Sequence, residues 1–474
     1  MKKRLQRFYI IGFVLLDFLA AAAAWLTFIY LLGADNDHAL NNINGNDFSG
    51  EHLLFGLVII PVFWLLLYYL SGSYKNMFRR SRLGQFGQTL LTSIIGVSVI
   101  YFVVLLDQSV TATKGYYHSF MLLLALHIFF TATFRFILST HITRKIHNRT
   151  IGFNTIIIGS QKKAIAIANE LNSQKKSAGN KLIGFVNASK HEEYKMEDYL
   201  PHLGDTSDLQ EIIEQYNVEE AIIAVESREH KKVSRILTDL YANNVIVKII
   251  PEMQDILLGT VKMTSIFGTP LIEIKAGLMP AWQQSIKRLI DIFVSIFCLI
   301  LLSPVFLITA LVVKLTSKGP VFYKHERIGR HGKPFMMHKF RSMYVDAEKN
   351  GPQLSCQDDP RITPVGRFMR KVRLDEIPQF YNVLRGYMSL VGPRPERKYY
   401  IDQIVKKAPE YKLLQKIKPG VTSWGQVKYG YAENVEEMIE RLKYDLLYLE
   451  NMSLAVDFKI MIYTILIILQ GRGK

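Results

Sequence analysis

Two adjacent carboxylates, Asp375 and Glu376, stand in a stretch crowded with cations: Arg367, Arg370, Lys371 and Arg373 precede them, and Arg394 follows in Gly392-Pro393-Arg394-Pro395. Nearby positive charge favours the ionised form of a carboxylic acid, so both acids are expected to be charged at neutral pH. An ionised Asp is a usable nucleophile toward phosphorus. Guanidinium groups clamp phosphate oxygens, and the backbone N–H groups of a helix N-terminus favour the same oxygens. His338-Lys339-Phe340-Arg341-Ser342-Met343 adds Lys339 and Arg341 on a short, extended segment as further phosphate-binding candidates. The chemistry this collection suits is phosphoryl transfer between anionic ligands. A hard divalent ion, Mg²⁺, is its natural companion, with Asp375, Glu376 and diphosphate oxygens as ligands. A plainer role stays open: Asp375 is a good N-cap, Glu376 a favoured first-turn acid, Pro378 a tolerated first-turn proline and Gly386 a helix stop. Capping alone would account for both acids.

Holding these groups takes a sizeable body, and 474 residues suffice for about three domains. With 58 Lys and Arg against 41 Asp and Glu, the net charge of +17 makes a polyanion the expected neighbour, whether nucleic acid, anionic lipid or phosphorylated ligand. Hydrophobic residues reach 49%, high for a chain this charged, which places them in blocks and points to a membrane. The cysteines, Cys298 and Cys356, form no CxxC pair and have no zinc-like His spacing; a disulfide scaffold is excluded and a reducing cytosol fits.

Four apolar blocks open the chain, Phe8 to Gly33, Leu53 to Leu70, Thr89 to Leu106 and Tyr116 to Leu138. Each approaches the ~20 residues that cross a bilayer as helix, so a bundle of four transmembrane helices is predicted over residues 1–150. The first is too long for the apolar core of a cleaved signal peptide and lacks a clean small-residue cleavage site. Lys2, Lys3, Arg4 and Arg7 precede the first span, Lys75, Arg79, Arg80 and Arg82 separate the second from the third, and Arg144, Lys145 and Arg149 follow the fourth. The loop Ala34 to Glu51 has no Lys or Arg, so both ends of the bundle are expected in the cytoplasm.

From Asn154 to about Ile250 the pattern turns to short β-branched runs, NTIIIG, LIGFVN, EEAIIAV and VIVKII, alternating with helical stretches such as Asp208 to Tyr216. This predicts an α/β Rossmann-like cytoplasmic module over residues 151–275. The strand ending at Gly159 is followed by Ser160, Gln161, Lys162 and Lys163 rather than GxGxxG, so the module reads as degenerate, structural or regulatory.

A second apolar stretch, Leu289 to Val313, is flanked by cations at both ends: Lys287 and Arg288 before it, Lys314, Lys318 and Lys324 after it. That pattern argues against crossing. In its middle Pro304 removes a backbone donor, while the Ser303 hydroxyl can satisfy a freed carbonyl, so a sharp break is expected there. A re-entrant membrane hairpin over residues 286–314 meets these constraints, and a Pro-kinked span is the alternative. The hairpin would belong to a third, α-rich monotopic domain, residues 276–474, which carries every candidate catalytic group.

Four segments, KRLIDIFVSIFCLILLSP, GPVFYKHERIGRHGKPFMMHKFRSM, RLDEIPQFYNVLRGYMSLVGPRPE and KPGVTSWGQV, together resemble the bacterial sugar transferases, the monotopic polyprenyl-phosphate phosphoglycosyl transferases. The resemblance runs from about Ser285 onward, and the four spans with a degenerate nucleotide fold resemble the large members. It implies a catalytic dyad at Asp375 and Glu376, a helix break at Ser303-Pro304, and substrate-binding arginines at Arg370 and Arg394. The implied reaction moves a sugar phosphate from a nucleoside diphosphate sugar, such as a UDP-hexose, onto undecaprenyl phosphate and releases UMP. Its implied place is the cytoplasmic face of the bacterial inner membrane, in exopolysaccharide, capsule or O-antigen synthesis. Partners are then the two substrates and inner-membrane lipids, with no nucleic acid and a homodimer left open. Thr422-Ser423-Trp424-Gly425-Gln426 departs from the Thr-Gly-Leu-Trp-Gln of many members, which touches sugar or acceptor choice. Rival classes are a non-catalytic membrane sensor or assembly factor of polysaccharide synthesis, and an NAD-dependent sugar-nucleotide epimerase or dehydratase, against which the missing glycine fingerprint counts.

Overall fold

The computed structural model describes residues 3–35, 50–75, 77–105, 113–188, 196–225, 230–250, 271–274, 279–347, 351, 353 and 359–470. Residues 36–49 of the loop expected outside, together with Cys356 and Asp358, lie beyond the described residues. The chain divides into two compact units, one of residues 1–153 with 174–181, the other of 154–173 with 182–474.

Helices fill all the apolar blocks of the first unit: α1 (Lys3–Asp35), α2 (Gly50–Leu70), α3 (Arg82–Ile100) and α4 (Thr113–His147). α1, α3 and α4 are long and apolar enough to cross a membrane, and α2 is apolar throughout its described part, Gly56–Leu70. Trp25, Phe28, Trp64, Tyr68, Val97 and Ile100 fill the bundle core. Inside it lies an ion pair no hydropathy plot singles out. Arg135 donates from Nε and Nη2 to both oxygens of Asp17, each at 2.8 Å, and from Nη1 to Thr89 at 2.9 Å. The Tyr74 hydroxyl donates to Asp17 at 2.9 Å, and the guanidinium stacks 4.0 Å above the Tyr68 ring. Charges inside an apolar bundle persist only when paired and hydrogen-bonded in this way.

In the second unit six strands form a sheet in the order β3-β2-β1-β4-β5-β6. They are β1 (Phe153–Ile158), β2 (Asn180–Asn187), β3 (His202–Asp205), β4 (Glu220–Ile223), β5 (Ile246–Ile249) and β6 (Ile272–Ile274). β1–β4, β2–β3 and β4–β5 pair parallel, and β6 joins β5 antiparallel. The helices between the strands are α5 (Lys162–Ser173), α6 (Leu209–Gln215) and α7 (His230–Ala242). The apolar runs of the sequence are these strands: buried on both faces, they lack the alternation of a half-exposed sheet. Gly159 answers a steric demand, because at its φ of +129° a Cβ would lie 2.6 Å from the Ala224 carbonyl oxygen.

The apolar stretch after the sheet forms α8 (Ala281–Leu301) and α9 (Ser303–Thr316), bent by 62° at Leu302. Pro304 sits in the first turn of α9, where it costs no hydrogen bond, and the Ser303 hydroxyl donates to the Ile300 carbonyl at 2.7 Å. The start of α8 and the end of α9 are fastened to the same C-terminal body. Near the start, Asp291 accepts from the Ser389 hydroxyl at 3.1 Å and the Leu390 N–H at 3.0 Å, and Lys287 reaches the Val391 carbonyl at 2.9 Å. At the far end Val313 packs on Phe340, Met369 and Ile377. Phe293, Phe297, Ile300, Leu307, Ile308 and Leu311, between these anchors, are exposed.

That body contains an antiparallel ribbon, β7 (Phe322–Ile328) with β8 (Pro334–Phe340), and a parallel pair, β9 (Ser389–Val391) with β10 (Gly420–Thr422). Around them stand α10 (Pro364–Lys371), α11 (Gln379–Leu384), α12 (Lys398–Lys407), α13 (Tyr411–Leu414), α14 (Trp424–Lys428), α15 (Val435–Glu450) and α16 (Leu454–Leu469). α16 exposes Phe458, Ile462, Tyr463, Ile465 and Leu466, a second apolar surface that the sequence reading passed over.

The buried pair of the first unit yields a stability test. Asp17→Leu leaves Arg135 uncompensated and should cost on the order of 3 kcal/mol, whereas Asp17→Leu/Arg135→Leu should cost less. Unfolding of each variant in lipid particles reads this, and a double variant no more stable than the single one would remove the pair from the account.

Candidate active site

Asp375 and Glu376 lie on a single 3₁₀ turn, Leu374–Glu376, entered through Arg373 in the left-handed region at φ +62°. Both carboxylates are buried, at 5% and 8% exposure. Asp375 caps no helix: the residue ahead of its turn is Arg373, and α11 starts only after Pro378, with no side-chain cap. Capping therefore does not account for these acids. The turn is pressed against β8 and α10, which supply the cations.

The two carboxylates are treated unequally. Glu376 accepts from Lys339 at 2.7 Å on Oε1 and from Arg373 at 3.3 Å on Oε2. Asp375 Oδ1 is buried and has no hydrogen-bond partner among the described residues. Burial works to raise Glu376, but Lys339, Arg373 and Arg394 outweigh it and hold this carboxyl well below the usual range. Asp375 goes the other way: burial pushes it up and the charge of Glu376 adds to that, against Lys339, Arg370 and Arg373. The expectation that the cations keep both acids low holds for Glu376 and fails for Asp375, because burial acts on both but Lys339 and Arg373 pair directly with Glu376, whose charge then adds to the burial of Asp375.

The predicted phosphate-binding residues separate in the same way. Lys339 is at the dyad through Glu376. Arg370 donates from Nε to the Ser342 hydroxyl at 2.9 Å, close enough for its charge to act on Asp375. Arg394 lies on the loop leaving β9, and its charge acts on Glu376. Arg341 is engaged elsewhere. Buried at 5% exposure, it donates to the Ser317 carbonyl and hydroxyl, both at 2.7 Å, and so fastens the end of α9. Ser303 and Pro304 sit at the bend and touch none of these groups.

The Arg394 loop is held by residues the sequence reading did not single out. Gly392 has no room for a Cβ, which would strike the Lys418 carbonyl oxygen. Glu396, 3% exposed, receives Arg441 at 2.6 Å and Arg327 at 3.1 Å, with Arg394 Nε 3.9 Å away. Tyr431 lies against both Arg373 and Arg394. An acid directly after Gly-Pro-Arg-Pro in a basic segment was a readable signal for Glu396; for Arg327, Arg441 and Tyr431 sequence distance hid the contact.

No group of three or more His, Cys, Asp or Glu side chains comes together among the described residues. A metal caged by protein alone is not offered here. Mg²⁺ instead binds through one or two carboxylates with substrate phosphates completing its shell, and the orphaned Asp375 Oδ1 beside Glu376 is a donor set of that kind.

A two-carboxylate turn ringed by guanidinium and ammonium groups, beside a bent apolar helix pair, is chemically suited to transfer between phosphorylated ligands at an apolar boundary. Comparison with known proteins agrees. The bacterial sugar transferase family matches residues 282–471, and a family described as CoA-binding domain matches residues 69–251. A UDP-glucose:undecaprenyl-phosphate glucose-1-phosphate transferase of Klebsiella pneumoniae is 30% identical over 430 residues, 89% of this chain and 90% of that protein. An undecaprenyl-phosphate galactose phosphotransferase of Salmonella typhimurium is 33% identical over 67% of this chain and 68% of its own length. A UDP-N-acetylgalactosamine-undecaprenyl-phosphate N-acetylgalactosaminephosphotransferase of Aeromonas hydrophila is 38% identical over 47% of this chain, which spans about half, 52%, of that relative. The chain belongs to the bacterial sugar transferase family, and its apolar helices associate it with a membrane.

Because Glu396 pairs directly with both buried arginines, Arg327 and Arg441, Glu396→Ala should cost about 3–5 kcal/mol. The denaturant midpoint in lipid particles measures it, and a loss below ~1 kcal/mol would mean that the Arg394 loop is anchored by other contacts.

Proposed function

We propose that the protein transfers a sugar phosphate from a UDP-hexose to undecaprenyl phosphate, giving undecaprenyl-diphosphate sugar and UMP in the first membrane step of exopolysaccharide, capsule or O-antigen synthesis. The observation that carries this reading is Asp375: a buried carboxylate left without a partner on Oδ1 among cations, while Glu376 beside it is paired with Lys339 and Arg373. A nucleophile needs that open oxygen, and a group serving stability alone would have been paired.

In the first half-reaction an Asp375 oxygen forms a bond to the sugar-linked phosphorus. The bond from that phosphorus to the bridging oxygen breaks, and UMP leaves with the bridging oxygen and its electron pair. In the second, an oxygen of the lipid phosphate attacks the same phosphorus and the Asp375–phosphorus bond breaks, restoring the carboxylate. The lipid phosphate needs no strong base because it is charged before it reacts, and Asp375, which burial and Glu376 push up, attacks in its ionised form. Lys339, Arg370 and Arg394 hold the phosphate oxygens, and Glu376 fixes Lys339 and Arg373 around them. Mg²⁺, held by Asp375 and Glu376 with diphosphate oxygens, would neutralise charge on the departing nucleotide.

The two-ended fastening of α8 and α9 supports a re-entrant hairpin. Were the pair to span, its ends would stand ~30 Å apart on opposite faces, yet both rest on one body. The chain would then carry four N-terminal spans and a catalytic domain on the cytoplasmic side, where a water-soluble donor and a lipid acceptor can meet. The strand order of residues 151–275 supports a Rossmann-like module, structural or regulatory in role.

Two measurements test the reading. Asp375→Asn should fold normally yet lose turnover by a factor of at least about 10³, and wild-type protein given β-phosphorus-labelled UDP-sugar without lipid should trap hydroxylamine-releasable label that the variant lacks. Near-normal transfer by the variant would remove Asp375 from the mechanism, and inactivity without trapped label would favour direct transfer between bound substrates. For topology, Ser285→Cys and Lys318→Cys should both resist a membrane-impermeant thiol reagent in intact cells; labelling of the second alone would mean that the pair spans.

A further inference from the structure

Tyr431 belongs to no motif that the mechanism uses, yet it occupies a distinctive place beside it. Half-buried between α14 and α15, it lies with its ring centre 4.8 Å from the guanidinium carbon of Arg373 and 4.8 Å from that of Arg394. Its hydroxyl also accepts from Arg373 Nη1. Two like charges that repel each other are thus held against one neutral ring, whose negative face stabilises both without neutralising either. Arg373 needs such holding. Its backbone is in the left-handed region at φ +62°, a conformation that persists in a non-glycine residue only when the surroundings fix it.

The placement bears on the open carboxylate. Arg373 is two residues from Asp375 on the same turn, and its side chain is engaged by Glu376 Oε2 at 3.3 Å and by Tyr431. Asp375 Oδ1 is the unsatisfied acceptor of that turn. An arginine freed from the ring would find a buried carboxylate oxygen with nothing bound to it, and a charge-assisted hydrogen bond there would be strong. We propose that Tyr431 is a positioning residue for the transfer reaction: by holding Arg373 and Arg394 on its ring it keeps Arg373 off Asp375 and leaves Oδ1 open to phosphorus. This rests on the reading of Asp375 as nucleophile. It makes a claim that the reading does not, namely that a residue outside the phosphate contacts governs kcat by preventing an ion pair.

The test compares Tyr431→Phe, Tyr431→Leu and Tyr431→Leu/Arg373→Ala in lipid particles, with UMP release under saturating lipid acceptor and varied UDP-sugar. Tyr431→Leu should lower kcat about 10- to 100-fold with KM for the donor within about threefold, since Glu396 still holds Arg394, and Lys339 and Arg370 are untouched, while the nucleophile is occupied. Tyr431→Phe, which keeps the ring, should stay within about threefold of wild type in kcat. The double variant should turn over faster than Tyr431→Leu, because the arginine that would block Asp375 is gone. A merely structural tyrosine would give the opposite order, the double variant being slower than either single change. Wild-type kcat in Tyr431→Leu, an equal loss in Tyr431→Phe, or a double variant no faster than Tyr431→Leu would each overturn the proposal. If Tyr431→Leu unfolds, Tyr431→Met takes its place. Absence of UMP release by the wild type would overturn the transferase reading instead, and a cryo-EM structure of Tyr431→Leu then judges the tyrosine alone: Arg373 within hydrogen-bond distance of Asp375 upholds its role, and Arg373 unmoved overturns it.

Discussion

Glu376, ionised and buried between Lys339 and Arg373, is the interaction on which the rest of the site depends. Two adjacent buried carboxylates repel, and without compensation at least one would take up a proton and turn into a hydrogen-bond donor. Placing both direct ion pairs on one acid resolves this asymmetrically. Glu376 becomes a fixed anion that orders the cations, and Asp375 keeps an unsatisfied oxygen inside a field that is positive overall. The arrangement needs β8 to deliver Lys339 from one side and a left-handed Arg373 to turn the chain so that both acids fit on one short 3₁₀ turn. The ribbon, α10 and the strained entry to the turn thus form a single device.

The same body is tied to its apolar elements by buried charge. Lys287 on α8 meets Asp457 on α16 at 2.6 Å, and the Tyr448 hydroxyl donates to the other oxygen of Asp457 at 2.7 Å. Beyond this junction both helices expose long apolar side chains; at it they are polar and buried. An abrupt change of that kind along two helices at once suits a protein seated at an interface, where the apolar arms are solvated by lipid and the polar junction by the protein itself. Arg341 completes the seating from the far end of α9. Its two bonds to Ser317 tie a cation that reads as phosphate-binding in sequence to the end of α9, while its Nε and Nη1 keep no partner among the described residues.

Much of this was legible in the residues, for identifiable reasons. The strands of the α/β sheet announced themselves because a sheet buried on both faces needs unbroken β-branched runs, and NTIIIG, EEAIIAV and VIVKII are such runs. The bend at Leu302 was legible because Pro304 and Ser303 act on their own turn. The dyad stood out by local charge contrast. What stayed hidden depended on contacts across long sequence separation. Asp17 and Arg135, 118 residues apart, each read as an isolated charge in an apolar block, and their pairing appears only when α1 packs on α4. Arg341 and Lys339, two residues apart, were assigned one role, but the strand ends at Phe340 and the chain carries Arg341 to another neighbour. The opposite shifts of Asp375 and Glu376 could not be foreseen, since they turn on which acid the cations reach.

The Arg394 loop shows how far such a site extends beyond the groups that touch substrate. Its position follows from a backbone approach so close that Gly392 admits no side chain, and from Glu396, which binds three arginines drawn from β7, α15 and its own loop. Glu396 does for Arg394 what Glu376 does for Lys339 and Arg373: one buried anion fixes several cations, each with donors or charge left over. Burial is the largest influence on both acids, and it is overcome by Lys339, Arg373 and Arg394 at Glu376 and by Arg441, Arg327 and Arg394 at Glu396, which hold the carboxyls down. A site for the proposed pair of anionic ligands cannot neutralise its own cations, and it cannot leave them loose either. A few internal carboxylates, outnumbered by the cations they order, satisfy both demands, and the positive excess that remains is where phosphate belongs.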